Sequence, residues 1–347
     1  MKIGILGAGQ LSRMLALAGI PMGFEFEFYS PSAEHCVSSL GILTIGEYDD
    51  WTKLNAFASR CDVVTYENEN IPFETLRELD EKTVVYPKAN AIQQTQDRFV
   101  EKTFFSILNI PTVPFRSISN RAELLSFIEE FDFPVILKTR RDGYDGKGQY
   151  KIESMKDIDA LKISEVPPLI VEKMVKYIRE ISIIGVRSQS GETAFYDICE
   201  NYHVNGVLQK TLNKKHDPRM PLARNYLKRI INELNYFGVI TLELFETEKG
   251  LLANEFAPRV HNSGHWTIEG AVCSQFANHI RAIAGYRLGA TESHGFYEMT
   301  NMLGKVIDPL EDLNNPYQSF HNYQKNPKAG RKVGHSCKML RKIIKIS

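Results

Sequence analysis

Three glycines fall within six residues in the run Lys138-Thr139-Arg140-Arg141-Asp142-Gly143-Tyr144-Asp145-Gly146-Lys147-Gly148-Gln149-Tyr150. Such a loop lets backbone N–H groups bend onto phosphate oxygens. Apolar runs at 135–138 and 150–152 flank it with strands, so it is not the Walker loop, which needs Gly-Lys-Ser/Thr opening a helix. It reads as a lid over a triphosphate, with a plain glycine hairpin as the alternative. Lys138 on the preceding strand then supplies a fixed positive charge for the phosphates, or else guards an edge strand.

Two carboxylates, Glu243 and Glu255, lie on apolar strands joined by Thr247-Glu248-Lys249-Gly250. If the loop is 248–250, residues 243 and 255 face each other and project to one side of the sheet. Neighbouring carboxylates repel unless a cation lies between them, and Mg²⁺ takes such oxygens together with phosphate and water. A solvated surface pair is the other reading. Directly after Glu255 comes Ala257-Pro258-Arg259-Val260-His261-Asn262-Ser263-Gly264-His265. Arg259, His261 and Asn262 within four residues suit an oxyanion such as bicarbonate.

A third glycine motif, Gly7-Ala8-Gly9-Gln10-Leu11-Ser12, follows the first apolar run. It departs from the dinucleotide fingerprint in having Ser12 at the third glycine position, and no acidic residue stands where the ribose partner belongs. The helix N-terminus after Gly9 still favours an anion, and a substrate phosphate is the expected one.

These groups need elements to carry them. Residues 2–6, 11–20, 24–29, 51–59, 62–66, 73–80 and 84–86 alternate strand and helix patterns, which makes a doubly wound α/β unit. A charged helix is expected over 96–108, and beyond Pro111 and Pro114 strands cluster. They read at 135–138, 150–152, 169–174, 180–186, 193–199, 206–211, 238–246 and 251–256, with helices at 121–131, 218–236 and 273–284. That is α+β, mostly antiparallel. Short strands are expected at 304–307, 317–323 and 332–334, giving divisions of 1–97, 98–288 and 289–347.

Lysine plus arginine and aspartate plus glutamate number 42 each in 347 residues, so no global field selects nucleic acid or an anionic membrane. The five cysteines are scattered without Cys-x-x-Cys spacing and read as reduced structural thiols. Neither a secretory signal nor a long apolar span is legible, so a cytoplasmic protein is expected.

Five motifs in order resemble the N5-carboxyaminoimidazole ribonucleotide synthetase family of ATP-grasp ligases. They are residues 7–14, Thr65-Tyr66-Glu67-Asn68-Glu69-Asn70-Ile71-Pro72, Gly143 to Gln149, Asn254-Glu255-Phe256-Ala257-Pro258-Arg259, and His261-Asn262-Ser263-Gly264-His265. The resemblance implies an ATP-grasp fold with an N-terminal Rossmann-like domain and a small β-rich C-terminal domain. It implies carboxylation of 5-aminoimidazole ribonucleotide by ATP and bicarbonate, through carboxyphosphate, in purine synthesis, with Mg²⁺ and a homodimer.

Carried over residue by residue, the ATP site takes Arg98, Lys138, Gly143, Tyr144, Asp145, Gly146, Lys147, Gly148 and Gln149. Glu172, Lys173, Met174 and Val175 would face adenine, Glu180 would meet the ribose, and His203 and Asn254 complete the set. Glu243 and Glu255 match the metal ligands. The aminoimidazole ribonucleotide falls to Gln10, Leu11, Glu67, Tyr144, Asp145, Arg259, Arg331 and Lys332, and catalysis to Tyr144, Asp145, Lys147, Arg259, His261, Asn262 and Lys332. The tail from Ser336 onward departs from relatives, which continue with an alternating strand. A formate-using transformylase, a nicotinamide oxidoreductase and a non-catalytic nucleotide module are the competing readings.

Overall fold

The computed structural model describes all residues except 34, 142, 144–147, 162–167, 306–313 and 341–347. The chain opens with β1 (Lys2–Leu6), α1 (Gln10–Gly19), β2 (Glu25–Ser30), β3 (Ile42–Ile45), α2 (Trp51–Ala58), β4 (Val63–Tyr66), α3 (Phe73–Leu79), β5 (Val84–Val85) and α4 (Ala89–Thr95). The strands form a parallel sheet in the order β3-β2-β1-β4-β5. Parallel strands are buried on both faces, so β1 and β4 read as continuous apolar runs. The edge strand β3 escaped the sequence pattern because Ile42 and Ile45 stay exposed.

The charged helix expected over 96–108 is shorter. Asp97 caps it by accepting from the Phe99 N–H at 3.0 Å, so α5 (Arg98–Ile107) begins at Arg98, and 89–95 form α4 instead. Then come β6 (Phe115–Ile118), α6 (Arg121–Phe131), β7 (Val135–Thr139), β8 (Gln149–Ile152), α7 (Met155–Asp159) and β9 (Leu169–Lys173). They make a small antiparallel sheet in the order β6-β9-β7-β8.

A larger antiparallel sheet follows, built from β10 (Arg179–Arg187), β11 (Thr193–Phe195), β12 (Ile198–Val204), β13 (Val207–Lys214), α8 (Met220–Glu233), β14 (Gly238–Thr247), β15 (Gly250–Ala257), α9 (Thr267–Gly270) and α10 (Gln275–Ile283), with the helices on its faces. The segment expected as one strand over 193–199 is split between β11 and β12. The last elements, β16 (Phe296–Leu303), β17 (Gln318–Asn322) and β18 (Lys332–Leu340), extend this sheet in the order β13-β16-β18-β17.

Two expectations near the C-terminus are corrected here. The strand here is β16, which ends before Gly304, where a φ of +71° turns the chain; of the strand expected at 304–307, residues 306 and 307 lie outside the described residues. The tail from Ser336 begins as strand: residues up to Leu340 pair with β16 and those up to Lys338 also with β17, while 341–347 lie outside the described residues. One apolar core joins α1 and the N-terminal sheet to α10, β10, β14 and β18, so the units are packed together rather than strung out. Among the described residues no helix is long and apolar enough to cross a membrane.

Candidate active site

A cavity of about 810 Å³ opens where the N-terminal sheet meets the two antiparallel sheets. Gln10, Leu11, Glu67, Arg98, Lys138, Gly143, Gln149, Glu180, His203, Glu243, Asn254, Glu255, Arg259, His261, Asn262 and Lys332 all line it. Gly148, Glu172, Lys173, Met174, Val175 and Arg331 do not form its described wall. Tyr144, Asp145, Gly146 and Lys147 lie outside the described residues.

Glu243 and Glu255 are direct partners across β14 and β15, but not by the expected route. The turn leaves only Glu248 and Lys249 between the paired residues Thr247 and Gly250. A β-bulge then skips Asn254, restoring the match of Glu243 with Glu255. The Glu243 carboxyl is pushed up to about 7, first by burial and then by the charge of Glu255. Arg98 compensates Glu255 alone, with Nη1 donating to Oε2 at 3.1 Å, while its Nη2 donates to the Gly143 carbonyl at 3.1 Å. A carboxylate pair short of positive charge fits a divalent cation. Mg²⁺ asks little more of a protein than such a pair, since it draws its remaining ligands from phosphate and water.

Lys138 sits between β9 and β8 on an interior strand, so the edge-guard reading fails. Its buried Nζ donates to Glu172 Oε2 at 2.8 Å, and Lys102 Nζ lies 3.9 Å from the same oxygen. Burial alone would raise the Glu172 carboxyl, but the two lysines pull it down to about 2. Glu172 therefore holds Lys138 rather than lining the cavity. Lys173 turns away to the carbonyls of Asp132 and Phe133.

His203 Nδ1 lies 2.6 Å from Glu180 Oε2. Burial lowers the imidazole, yet Glu180 and Glu243 outweigh it and raise its pKa. Tyr177 donates to the other Glu180 oxygen at 2.7 Å and stacks on Phe245 with ring centroids 4.9 Å apart. With Ile136 and Leu208, Phe245 gives this end an apolar wall suited to a base.

The loop over 257–265, expected to meet an oxyanion, is more constrained than its sequence suggested. Arg259 grips Glu69 through Nε and Nη2, the latter at 2.8 Å, and Nη1 donates to the Val260 carbonyl. His261 Nδ1 contacts Ser263 Oγ at 2.9 Å and accepts from the Ser263 N–H at 3.3 Å, leaving the hydrogen on Nε2 to face Glu243 Oε1 at 3.2 Å. Burial first, then Arg259 and Lys332, hold His261 far below the histidine range, so it meets Glu243 as a neutral donor. Ser263 is held by Ser182, and Ser182 by Asn201, all buried. Asn262 exchanges hydrogen bonds with Asn301 at 3.0 and 2.6 Å.

The expected phosphate at the N-terminus of α1 is displaced by a carboxylate of the chain itself. Glu67 accepts from the Gly9 N–H at 2.6 Å and the Ser12 N–H at 2.9 Å. Ser12 Oγ donates to the Gly7 carbonyl, which gives the departing serine a structural role. Glu27 is buried against Arg60 and unavailable to any ribose. Lys325 reaches Gln10 from the C-terminal segment.

Sequence reading missed Glu69, Glu101, Lys102, Ser182, Tyr177 and Lys325. The Thr65-to-Pro72 motif contained Glu69, but nothing in it signalled a bond to Arg259, 190 residues away.

Three family models match in chain order: a ribonucleotide synthetase preATP-grasp domain over 1–96, an ATP-grasp domain over 103–276, and a phosphoribosylaminoimidazole carboxylase C-terminal domain over 298–340. The N5-carboxyaminoimidazole ribonucleotide synthase of Pseudomonas aeruginosa is 43% identical over 338 residues, covering 97% of this chain and 94% of that one. The synthetase structure from Thermus thermophilus superposes with a TM-score of 0.92 at 42% identity, over 97% and 93% of the two chains. That of Staphylococcus aureus complexed with ADP gives 0.93 at 35% identity, over 99% and 94%.

Proposed function

The chain belongs to the N5-carboxyaminoimidazole ribonucleotide synthase family of ATP-grasp ligases and carries out ATP-dependent carboxylation of 5-aminoimidazole ribonucleotide in purine biosynthesis; from that premise we propose how its cleft divides the work. The observation that carries the assignment is the convergence of Glu243, Glu255, Arg98, Lys138, Arg259 and His261 on one cavity.

A bicarbonate oxygen attacks the γ-phosphorus of ATP, the bond to the bridging oxygen breaks, and ADP leaves with carboxyphosphate formed. The amine of the aminoimidazole then attacks the carboxyl carbon, phosphate departs, and the amine loses a proton. Arg98 and Lys138 balance phosphate charge, while the loop of Gly143, Gly148 and Gln149, with Tyr144, Asp145 and Lys147, closes over the nucleotide to keep water from the labile intermediate. Ile136, Leu208 and Phe245 receive adenine beside the 172–175 segment, and Glu180 with His203 meets the ribose. Arg259, aimed by Glu69, and neutral His261 hold the bicarbonate oxygens, with Asn262 and Lys332 beside them.

Gln10, Leu11 and Glu67 bind the aminoimidazole ribonucleotide from the N-terminal side. Glu243 and Glu255 would hold Mg²⁺, which when bound would neutralise charge on the transferred phosphoryl group. Residues 1–97, 98–288 and 289–347 act as substrate, nucleotide and closing units of a cytoplasmic homodimer.

ADP release should require bicarbonate and aminoimidazole ribonucleotide together in a coupled assay. Glu255→Gln should abolish turnover with circular dichroism unchanged. Near-normal turnover of that variant would refute the metal assignment, and ADP release stimulated instead by glycinamide ribonucleotide and formate would refute the substrate.

A further inference from the structure

The match of Glu243 with Glu255 depends on one extra residue in β15, and the adjoining helix holds that residue in place. Pairing runs from Thr247 with Gly250 to Leu244 with Ala253, then jumps to Glu243 with Glu255, leaving Asn254 without a ladder partner. A buried unpaired carbonyl is costly, and a one-residue slip turns every following side chain to the other face. Undisturbed pairing would set Asn254 against Glu243 and point Glu255 away.

Helix α5 prevents this from both sides of the bulge. Lys102 Nζ donates to the Asn254 carbonyl at 2.8 Å and to the Ala253 carbonyl at 3.3 Å. The Glu101 carboxylate accepts from the Phe256 N–H at 2.7 Å. Thr112 Oγ1 adds a bond to the Ala253 carbonyl at 2.7 Å, and the Ala253 N–H donates to the Pro111 carbonyl at 2.7 Å. Both helix residues are buried, Glu101 to 3% exposure and Lys102 to 1%.

We propose that Glu101 and Lys102 are positioning residues for the metal site, clamping the β15 bulge that turns Glu255 toward Glu243. Lys102 also lies 3.9 Å from Glu172, the partner of Lys138, so the same side chain ties the carboxylate hairpin to the phosphate-facing lysine. The proposal rests on reading Glu243 and Glu255 as the cation site.

The test is Mn²⁺ binding to the full chain with ADP present, followed by electron paramagnetic resonance, alongside the KM for aminoimidazole ribonucleotide. Lys102→Met should weaken Mn²⁺ roughly tenfold, as expected when support of a metal ligand is lost, with that KM within about twofold of wild type. Unchanged Mn²⁺ affinity in folded Lys102→Met, or a parallel loss of aminoimidazole binding, would overturn the clamp. If Lys102→Met does not fold, Thr112→Val decides by the same measurement: a roughly two- to fivefold loss supports the clamp and no loss overturns it. Glu255→Gln separates the two readings. If it leaves Mn²⁺ binding intact, the cation site itself is wrong; if it abolishes binding while the clamp variants do not weaken it, only the clamp is wrong.

Discussion

Arg259 illustrates how one side chain can be both fixed and available. Its planar fork is held by two contacts to Glu69 and one to the Val260 carbonyl, and a guanidinium carries five N–H donors, so two remain for an oxyanion. Burial would raise the Glu69 carboxyl, but Arg259 reverses this and lowers it, so the pair is charged before substrate arrives. Lysine keeps the charge but not the fork. Arg259→Lys should therefore lower kcat/KM for bicarbonate by roughly 100-fold, the scale of losing an oriented donor, while leaving the KM for ATP within about threefold. Steady-state kinetics at varied bicarbonate checks this, and a loss of less than threefold would mean that orientation by Glu69 is irrelevant.

The turn between β1 and α1 makes a different point at the level of elements. Its glycines looked like a phosphate cradle, and in the structure they admit Glu67 instead. Gly7 has a φ of +115°, and a Cβ at Gly9 would lie 2.8 and 2.9 Å from the two Glu67 oxygens. Alanine at position 7 would meet both the backbone strain and the Glu67 side chain. Gly7→Ala should cost about 1–3 kcal/mol in urea unfolding. Because Glu67 would be pushed aside, it should also raise the KM for aminoimidazole ribonucleotide several-fold, with the KM for ATP unchanged. A destabilised variant with an unaltered KM for aminoimidazole ribonucleotide would show that Glu67 serves only to close the helix end. The same logic explains the glycine signal: a motif near a helix N-terminus announces an anion, and the anion can be part of the fold.

Across the whole molecule, the seams between units are lined by buried neutral histidines. His279 joins Thr65 of β4, at 2.9 Å, to the Val239 N–H of β14, at 3.1 Å, and burial lowers it to about 3. His265 of the 257–265 loop and His335 of β18 pack 4.8 Å apart; burial first, then neighbouring positive charge including His321, lowers both. Their folded values lie below the unfolded value of about 6.5, so the unfolded chain takes up protons first as the pH falls. Stability is complete above about pH 6.5 and is lost below it, on the order of 4 kcal/mol for His279 by pH 3. Urea midpoints should fall steeply from pH 6.5 to 5, and His279→Gln should make that slope shallower; equal slopes would exclude His279 as a contributor. The amino-acid sequence by itself determined the strand and helix alternation of the first unit and the antiparallel run after it, and it marked Glu243, Glu255, Arg259 and His261, which the fold brings to one cavity. Those are local signals: periodicity, glycine and proline punctuation, and donor density can all be read within a dozen residues. The tertiary structure alone decided that Glu67 fills the helix end, that Glu69 aims Arg259, and that a bulge held by Glu101 and Lys102 sets the carboxylates opposite each other. Each of these joins groups 55 to 190 residues apart through sheet order and register, which no local pattern encodes.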